Sequence, residues 1–393
     1  MTLSSPRRPR HQLVGSIEPV RTIVDQLEGW VLRGLLFMGD PHLASYTPGR
    51  RLDSYLDTVL GKLRQCAQVS KERGLLPVCP GDLVDEHDDT DPVMHYRTTE
   101  TLQAFDPPMV TTVGNHDIGK KDIQLTEKAF MALLGLTGTI DLVQRPGFWG
   151  RLTLTSEDGR THRLVLGFTP YGFALPTSLV DAMGLPEGTS VEDARRQAQA
   201  DSVVWITHGD FAFEGAYPGA APLVELPGVD MVINGHMHGT KKPVLLGQTV
   251  WYNPGNIVRL SVDMADEVPS AWAWSPFDEE RDAAVSGVRV PRLEQIVLKH
   301  TPGAQTFSFE GKHAPMALLT EDGTPMGDAL APLAFTEGMK GVKADLRTGD
   351  GSQMREDLAE VMVSLNTPDP ARRILDELAA RAARALQIEA NQS

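Results

Sequence analysis

The chain has 393 residues, 41% of them hydrophobic and 23% charged, which is enough for one large domain with a smaller companion. Its formal net charge of −15 argues against a broad basic face for nucleic acid, although a bound metal would add positive charge that this count omits. No apolar run approaches the roughly 20 residues of a membrane span, so no membrane association is expected.

The basic start MTLSSPRRPRHQ is followed by no apolar stretch of a signal peptide, and Arg7, Arg8 and Arg10 are expected in a frayed arm. Residues 16–30 space Ile17, Val20, Val24 and Leu27 as a helix would, so residues 1–33 read as an N-terminal arm and helix. Leu35 to Met38 is a short buried strand running into Asp40-Pro41-His42. Leu52, Leu56, Val59, Leu63, Cys66 and Val69 then mark a strong amphipathic helix over 50–70. Leu75 to Cys79 predicts the next strand, ending at Pro80-Gly81-Asp82. A helix over about 92–105 and a strand from Met109 to Val113 lead to Gly114-Asn115-His116-Asp117. Strands alternating with helices favour a parallel sheet with side chains gathered at its carboxyl edge.

From about residue 148 the pattern turns to β. Arg151 to Thr155 and Arg163 to Phe168 flank Glu157-Asp158-Gly159 as a hairpin. Further strands are expected at Val203 to Thr207, before His208, at Val229 to Ile233, before Gly235, and at Val244 to Tyr252. The expected fold is α/β (α+β), a two-sheet β-sandwich flanked by helices, occupying residues 34–265. Residues 266–393 read as a C-terminal accessory or cap region, with short strands at Gly287 to Val290 and Glu294 to Lys299. Helices are expected at 353–365 and 369–388, the latter packing on its own protein through Ile374, Leu375, Leu378, Ala382 and Leu386. Cys66 and Cys79 have no CxxC spacing and are expected to be buried and reduced, which suits a cytoplasmic protein.

Five short motifs carry the chemistry: Asp40-Pro41-His42, Gly81-Asp82-Leu83-Val84-Asp85, Gly114-Asn115-His116-Asp117, His208-Gly209 and Gly235-His236-Met237-His238-Gly239. Carboxylate oxygens and imidazole nitrogens suit first-row divalent ions, and two ions about 3.5–4 Å apart need a bridging oxygen. Asp82, the lone carboxylate of a Pro-Gly-Asp turn, is the natural bridge. Asp40 and His42, two apart, can share one ion, and His236 and His238 repeat that spacing between glycines. Asn115 offers a carboxamide oxygen and His208 another imidazole.

In this order the motifs resemble those of the calcineurin-like metallophosphoesterases, over roughly residues 34–260. The resemblance implies two divalent metal ions, with manganese foremost and iron, zinc, nickel or cobalt as alternatives. It implies that Asp40, His42, Asp82 and His238 hold one ion, and that Asp82, Asn115, His208 and His236 hold the other. A metal-bridging hydroxide would then attack phosphorus in line. His116 would be the general acid, with Asp85 orienting it and raising its pKa. Glu86 stands where many protein phosphatases of the family carry an arginine, which argues against that branch. Asp40 to Leu43, Arg50-Arg51 and the stretch Tyr252 to Ser261 resemble the nuclease subunit of the bacterial SbcCD complex, with Asn256 in place of the usual serine.

The substrate expected is therefore a phosphodiester, with DNA within the range and an ATPase partner or a homo-oligomer among the associations that branch implies. A small-nucleotide phosphodiesterase or phosphatase is the alternative, and a silent binding protein of the same fold is the alternative of another class. Six carboxylates within residues 82–91 (Asp82, Asp85, Glu86, Asp88, Asp89, Asp91) predict an acidic rim that would repel a DNA backbone. His87, His95, His162, His300 and His313 lie outside the pattern, and Phe148, Trp149 and Trp251 are expected in the core.

Overall fold

Alternating side chains on the central strands split the interior into layers. In β1 (Gly34–Phe37), Leu35 and Phe37 join one apolar cluster, while Leu36 and the following Met38 join another. That period of two is the signature of a strand buried on both faces. The computed structural model describes residues 18–308, apart from 49, 120–124, 217–218, 279–282 and 286–287. The chain divides into a unit ending at Phe309 and a second from Glu310 to Ser393. The expected arm with Arg7, Arg8 and Arg10, His313 and the helices at 353–365 and 369–388 lie outside the described residues.

The first sheet places β1 beside β2 (Leu75–Cys79), β3 (Val110–Thr112) and β4 (Asp141–Val143), all parallel. Its other side is completed by the antiparallel β11 (Ser270–Trp274) and β14 (Glu294–Val297), giving the order β14-β11-β1-β2-β3-β4. The second sheet runs β5 (Gly147–Thr155), β6 (Thr161–Thr169), β7 (Ser202–His208), β8 (Met231–Gly235), β10 (Thr249–Asn253), β9 (Lys241–Leu246). β6, β7, β8 and β10 are parallel, and β5 and β9 close the edges antiparallel. A two-stranded ribbon pairs β12 (Ala283–Val285) with β13 (Val288–Val290).

Leu35, Phe37, Leu76, Val78 and Val110 of the first sheet meet Leu166, Phe168, Val204, Ile206, Ile233 and Val250 of the second. The outer face of the first sheet packs on α1 (Tyr55–Arg73), α2 (Pro92–Leu102) and α3 (Phe130–Thr137). The outer face of the second packs on α4 (Leu179–Met183) and α5 (Val191–Ala198), with Val203 and Trp205 turned to them. A short α6 (Gly303–Thr306) follows β14. The result is the two-sheet α/β sandwich flanked by helices.

Three local expectations change. Residues 18–33 form no helix. They run extended along β5, with bridges Val20 to Gly147, Asp25 to Arg151 and Leu32 to Leu154. Thr22-Ile23-Val24 is β-branched, and Leu27 (φ 53°) and Gly29 (φ 89°) break any helical continuation. Val244 to Tyr252 is a hairpin rather than one strand, with β9 and β10 joined at Gly247-Gln248. The first sheet also draws β11 and β14 from beyond residue 265, where the accessory region was expected to begin. Among the described residues, no helix is long and apolar enough to cross a membrane.

Candidate metal centre

Every motif sits at the carboxyl end of a strand in one of the two sheets: Asp40 and His42 after β1, Asp82 after β2, Asn115 and His116 after β3, His208 closing β7, and His236 and His238 after β8. The turns are strained. Of the six non-glycine residues at positive φ among the described residues, four are Asp40 (27°), His42 (47°), Asp82 (48°) and His236 (76°). Such backbone persists only where the surroundings over-determine it, and it concentrates at functional sites. Glycines make room for it. A Cβ on Gly235 would stand 2.6 Å from His208 Nδ1 and 2.8 Å from Asp40 Oδ1. One on Gly114 would fall on the carboxylate oxygen and amide nitrogen of Asp82.

The candidate ligands converge in two groups, Asp40 with His42 and His238, and Asp82 with His208 and His236, and a further cluster gathers His42 with Asp85 and His116 beside the first. Asn115 Oδ1 joins the second, 3.0 Å from His208 Nε2 and 2.8 Å from His236 Nδ1. Asp82 links the groups. Its Oδ2 is 3.2 Å from His208 Nε2 and 3.8 Å from His42 Nε2, and its Oδ1 accepts the His116 amide at 2.8 Å. Asp40 Oδ2 accepts the amide of His236 at 2.7 Å, tying the ends of β1 and β8 together.

Ring tautomers follow from the partners, because a carbonyl or a carboxylate can only accept. His208 Nδ1 meets the Pro80 carbonyl at 3.0 Å and His42 Nδ1 meets Asp85 Oδ1 at 2.9 Å, so both donate there and leave Nε2 as a lone pair. Those lone pairs point at oxygens. Asp40 Oδ1, His42 Nε2 and Asp82 Oδ2 are buried with no hydrogen-bond partner. A buried cluster of acceptors facing acceptors costs free energy unless a cation or proton lies among them. The donor set, oxygen and imidazole with no thiolate, fits divalent first-row ions, so the residues present fit the metals the sequence implies.

The titration tendencies carry the same imprint. Burial opposes charge on His208, yet the Asp82 and Asp40 carboxylates outweigh it and pull its pKa up to about 9. Burial raises Asp40. Asp82, though buried, is held well below the usual carboxylate range by His208 and His42. His238 drops to about 4 through burial and the proximity of His42.

His116 is set apart. Its side chain is 39% exposed, and its Nδ1 donates to the backbone carbonyl of Asp85 at 2.7 Å. Asp85 does stand against His116, but its closer contact there is the backbone carbonyl rather than the carboxylate. That carboxylate takes the His42 proton and the hydroxyl of Tyr46, and its nearest oxygen stays 3.5 Å from His116 Nδ1. The tight turn after β2 brings the backbone rather than the side chain of Asp85 under the His116 ring.

The acidic rim is also smaller than the sequence suggests. Asp82 is buried, Asp89 accepts the amides of Ser45 (2.9 Å) and Asp91 (3.0 Å), and Asp91 caps α2 through the Met94 amide at 2.7 Å. Glu86 and Asp88 alone among the six stand exposed. His95 stacks on Phe130 with ring centroids 3.8 Å apart, and Phe148, Trp149 and Trp251 are buried. Both cysteines are free and buried, with the Cys66 thiol pushed up to about 12 by burial.

Three residues escaped the sequence reading, Tyr46, Asp210 and Tyr171, and Asp117 stood in the third motif without a role. Tyr46 braces Asp85, and Asp117 accepts the amides of Gly114 (2.7 Å) and Val84 (3.1 Å), locking the turn that carries Asn115. Asp210 Oδ1 lies 3.8 Å from His236 Nε2, and the Tyr171 ring stands 6.1 Å from the His236 ring at the cleft mouth. The place of Asp117 within the third motif was the one available signal. The others reach the site from loops whose course no local pattern foretells.

Carboxylates, imidazoles and a carboxamide gathered from the strand ends of two facing sheets form a candidate metal-binding cleft. The sequence model of the calcineurin-like phosphoesterases matches residues 34–240, more than half the chain, and the chain belongs to that family. None of the curated proteins compared with the chain matches it in sequence. Among solved structures it is similar to a 5'-nucleotidase precursor from Thermus thermophilus, at 10% identity and a TM-score of 0.38. The match covers 68% of this chain and 54% of that one, so the chain spans about half the length of that protein.

Proposed function

We propose that the chain is a metal-dependent phosphoesterase acting on phosphodiester bonds, with manganese as its ion. The observation that carries this reading is the trio of buried, partnerless atoms Asp40 Oδ1, His42 Nε2 and Asp82 Oδ2, set between the two ligand groups. Asp40, His42, Asp82 and His238 would hold one ion, and Asp82, Asn115, His208 and His236 the other. When bound, the ions would supply an activated water and neutralise charge on the phosphoryl oxygens.

The remaining work falls to the chain. Asp85 fixes His42 as the tautomer with Nε2 open to the cleft, and the Pro80 carbonyl does the same for His208. His116 keeps its Nδ1 proton on the Asp85 carbonyl, which leaves Nε2 as the nitrogen that exchanges protons with a bound substrate. In its protonated form it would give the Nε2 proton to the leaving oxygen, ending as the neutral tautomer that the carbonyl already favours.

The test is the purified chain with manganese, offered labelled single- and double-stranded DNA beside a panel of cyclic nucleotides and dinucleotides. Metal-dependent turnover of any of these, lost in Asp82→Asn, is the expected result. Undiminished hydrolysis of bis-p-nitrophenyl phosphate by Asp82→Asn would overturn the reading. Intact DNA where a nucleotide is turned over would remove the nuclease branch, and absence of all turnover would leave a binding protein of this fold.

A further inference from the structure

A second polar cavity, of about 360 Å³, opens between the start of α1 and the segments around Arg259 and His300. Its size is at the lower end of small-ligand sites. Its lining is cationic in a chain of net charge −15: Arg51, Lys62, Arg259 and Lys299, against Asp53 and Asp57. Both carboxylates are already engaged. Asp53 accepts Arg51 Nε at 2.9 Å, Arg51 Nη2 at 2.7 Å and the Thr58 hydroxyl at 2.5 Å, and Asp57 is bound by Arg97.

Of the other cations, the buried Arg259 and Lys62 rest on neutral partners. Arg259, 5% exposed, donates to the carbonyls of Ala265 (2.7 Å) and Thr301 and reaches Thr306 Oγ1 at 3.5 Å. Lys62, 2% exposed, donates to the Lys299 carbonyl at 3.1 Å. Among the described residues neither is paired with a carboxylate. Carbonyls orient a cation without cancelling its charge, and burying such charge uncompensated is costly. Burial, with Arg259 and Arg51 close by, accordingly pushes the Lys62 pKa down to about 8.

We propose that this cavity is an anion site for a small phosphoryl group, either free phosphate or the head of a small phosphate-bearing molecule. Cations approach from α1 and the turn before it, from the stretch after β10 and from the stretch between β14 and α6, an arrangement that suits a tetrahedral, doubly charged group better than a planar monocarboxylate. The site is separate from the metal cleft, though it adjoins its frame. The Arg51 guanidinium lies 5.0 Å over the Tyr55 ring, and the Tyr55 hydroxyl donates to the His42 carbonyl at 2.8 Å.

The test is equilibrium dialysis of the full, manganese-supplemented chain with labelled inorganic phosphate at constant ionic strength set by chloride. Asp82→Asn removes the contribution of the metal cleft. The expected result is a phosphate site that persists in Asp82→Asn and is weakened about tenfold or more by Lys62→Met, the range for losing a hydrogen bond to a charged group. Lys299→Glu, at the exposed rim, is expected to weaken it as well and keeps the test open if Lys62→Met fails to fold. Competition by methylphosphonate would point to a substituted phosphoryl ligand, and its exclusion to free phosphate. Phosphate binding that vanishes in Asp82→Asn, or that ignores both lysine substitutions, would overturn the proposal. Failure of the phosphoesterase reading would show separately, as hydrolysis indifferent to Asp82.

Discussion

Asp85 Oδ1 lies 2.9 Å from His42 Nδ1, while its other oxygen takes the hydroxyl of Tyr46. The pair is a carboxylate–imidazole unit in which Asp85 sets the tautomer of a candidate ligand, and such outer partners are commonly worth 10–100-fold in metal affinity. Asp85→Ala is therefore expected to weaken manganese binding by about that factor. Competitive titration with a metal-sensing dye measures this directly. Unchanged metal affinity with collapsed turnover would instead put Asp85 in proton transfer.

His116 makes the opposite prediction. With Nδ1 committed to the Asp85 carbonyl and its ring 39% exposed, its side chain joins neither the Asp40 group nor the Asp82 group and meets the centre through His42 and Asp85. His116→Gln is expected to lower turnover by about 10²–10⁴ while metal content stays at the wild-type level. The loss should be small for a p-nitrophenolate leaving group, which needs little protonation, and large for an alkoxide. Equal losses for both would deny His116 the role of acid.

What the sequence made legible follows from how local each signal is. β1, β2 and β3 are short apolar runs ending in motif residues, so their positions and the side chains they carry could be read from the chain itself. So could the ligand candidates, because Asp40 with His42 and His236 with His238 are sequence neighbours. Residues 18–33 misled because an apolar spacing of three and four fits a helix as well as an edge segment, and only β5 decides between them. The partner of Asp85 could not be read. His42 and His116 are both near it in space, and the choice rests on which atom of Asp85, carboxylate or carbonyl, the turn presents. The basic cavity was invisible for a similar reason, since Arg51, Lys62 and Arg259 meet only through tertiary packing.

Gly114 supports the centre through what it lacks. A methyl group there would overlap the carboxylate and amide of Asp82, the residue that links both ligand groups. Gly114→Ala is expected to cost about 1–3 kcal/mol of stability as overpacking and to displace Asp82. Manganese stoichiometry should fall together with the thermal midpoint. A variant that is destabilised yet binds the full complement of metal would show that the turn relaxes away from Asp82.

Lys62 gives a pH dependence that is independent of the metal cleft. Its folded pKa is about 8 against an ordinary 10.5, because burial and the neighbouring Arg259 and Arg51 disfavour the charged form. Between those two values the unfolded chain holds a proton that the folded chain has released, so this group's contribution to stability rises with pH across that window. Below pH 8 the proton is bound in both states, and the buried charge is a standing cost. Lys62→Met cannot titrate there, so wild-type stability relative to the variant is expected to improve between pH 8 and pH 10.5. Urea unfolding of both proteins in phosphate-free buffer at several pH values checks it, because tyrosines and other lysines titrate equally in the two and cancel. Parallel stability profiles would mean that Lys62 keeps an ordinary pKa, and that the charge in the cavity is already balanced by a group of this chain.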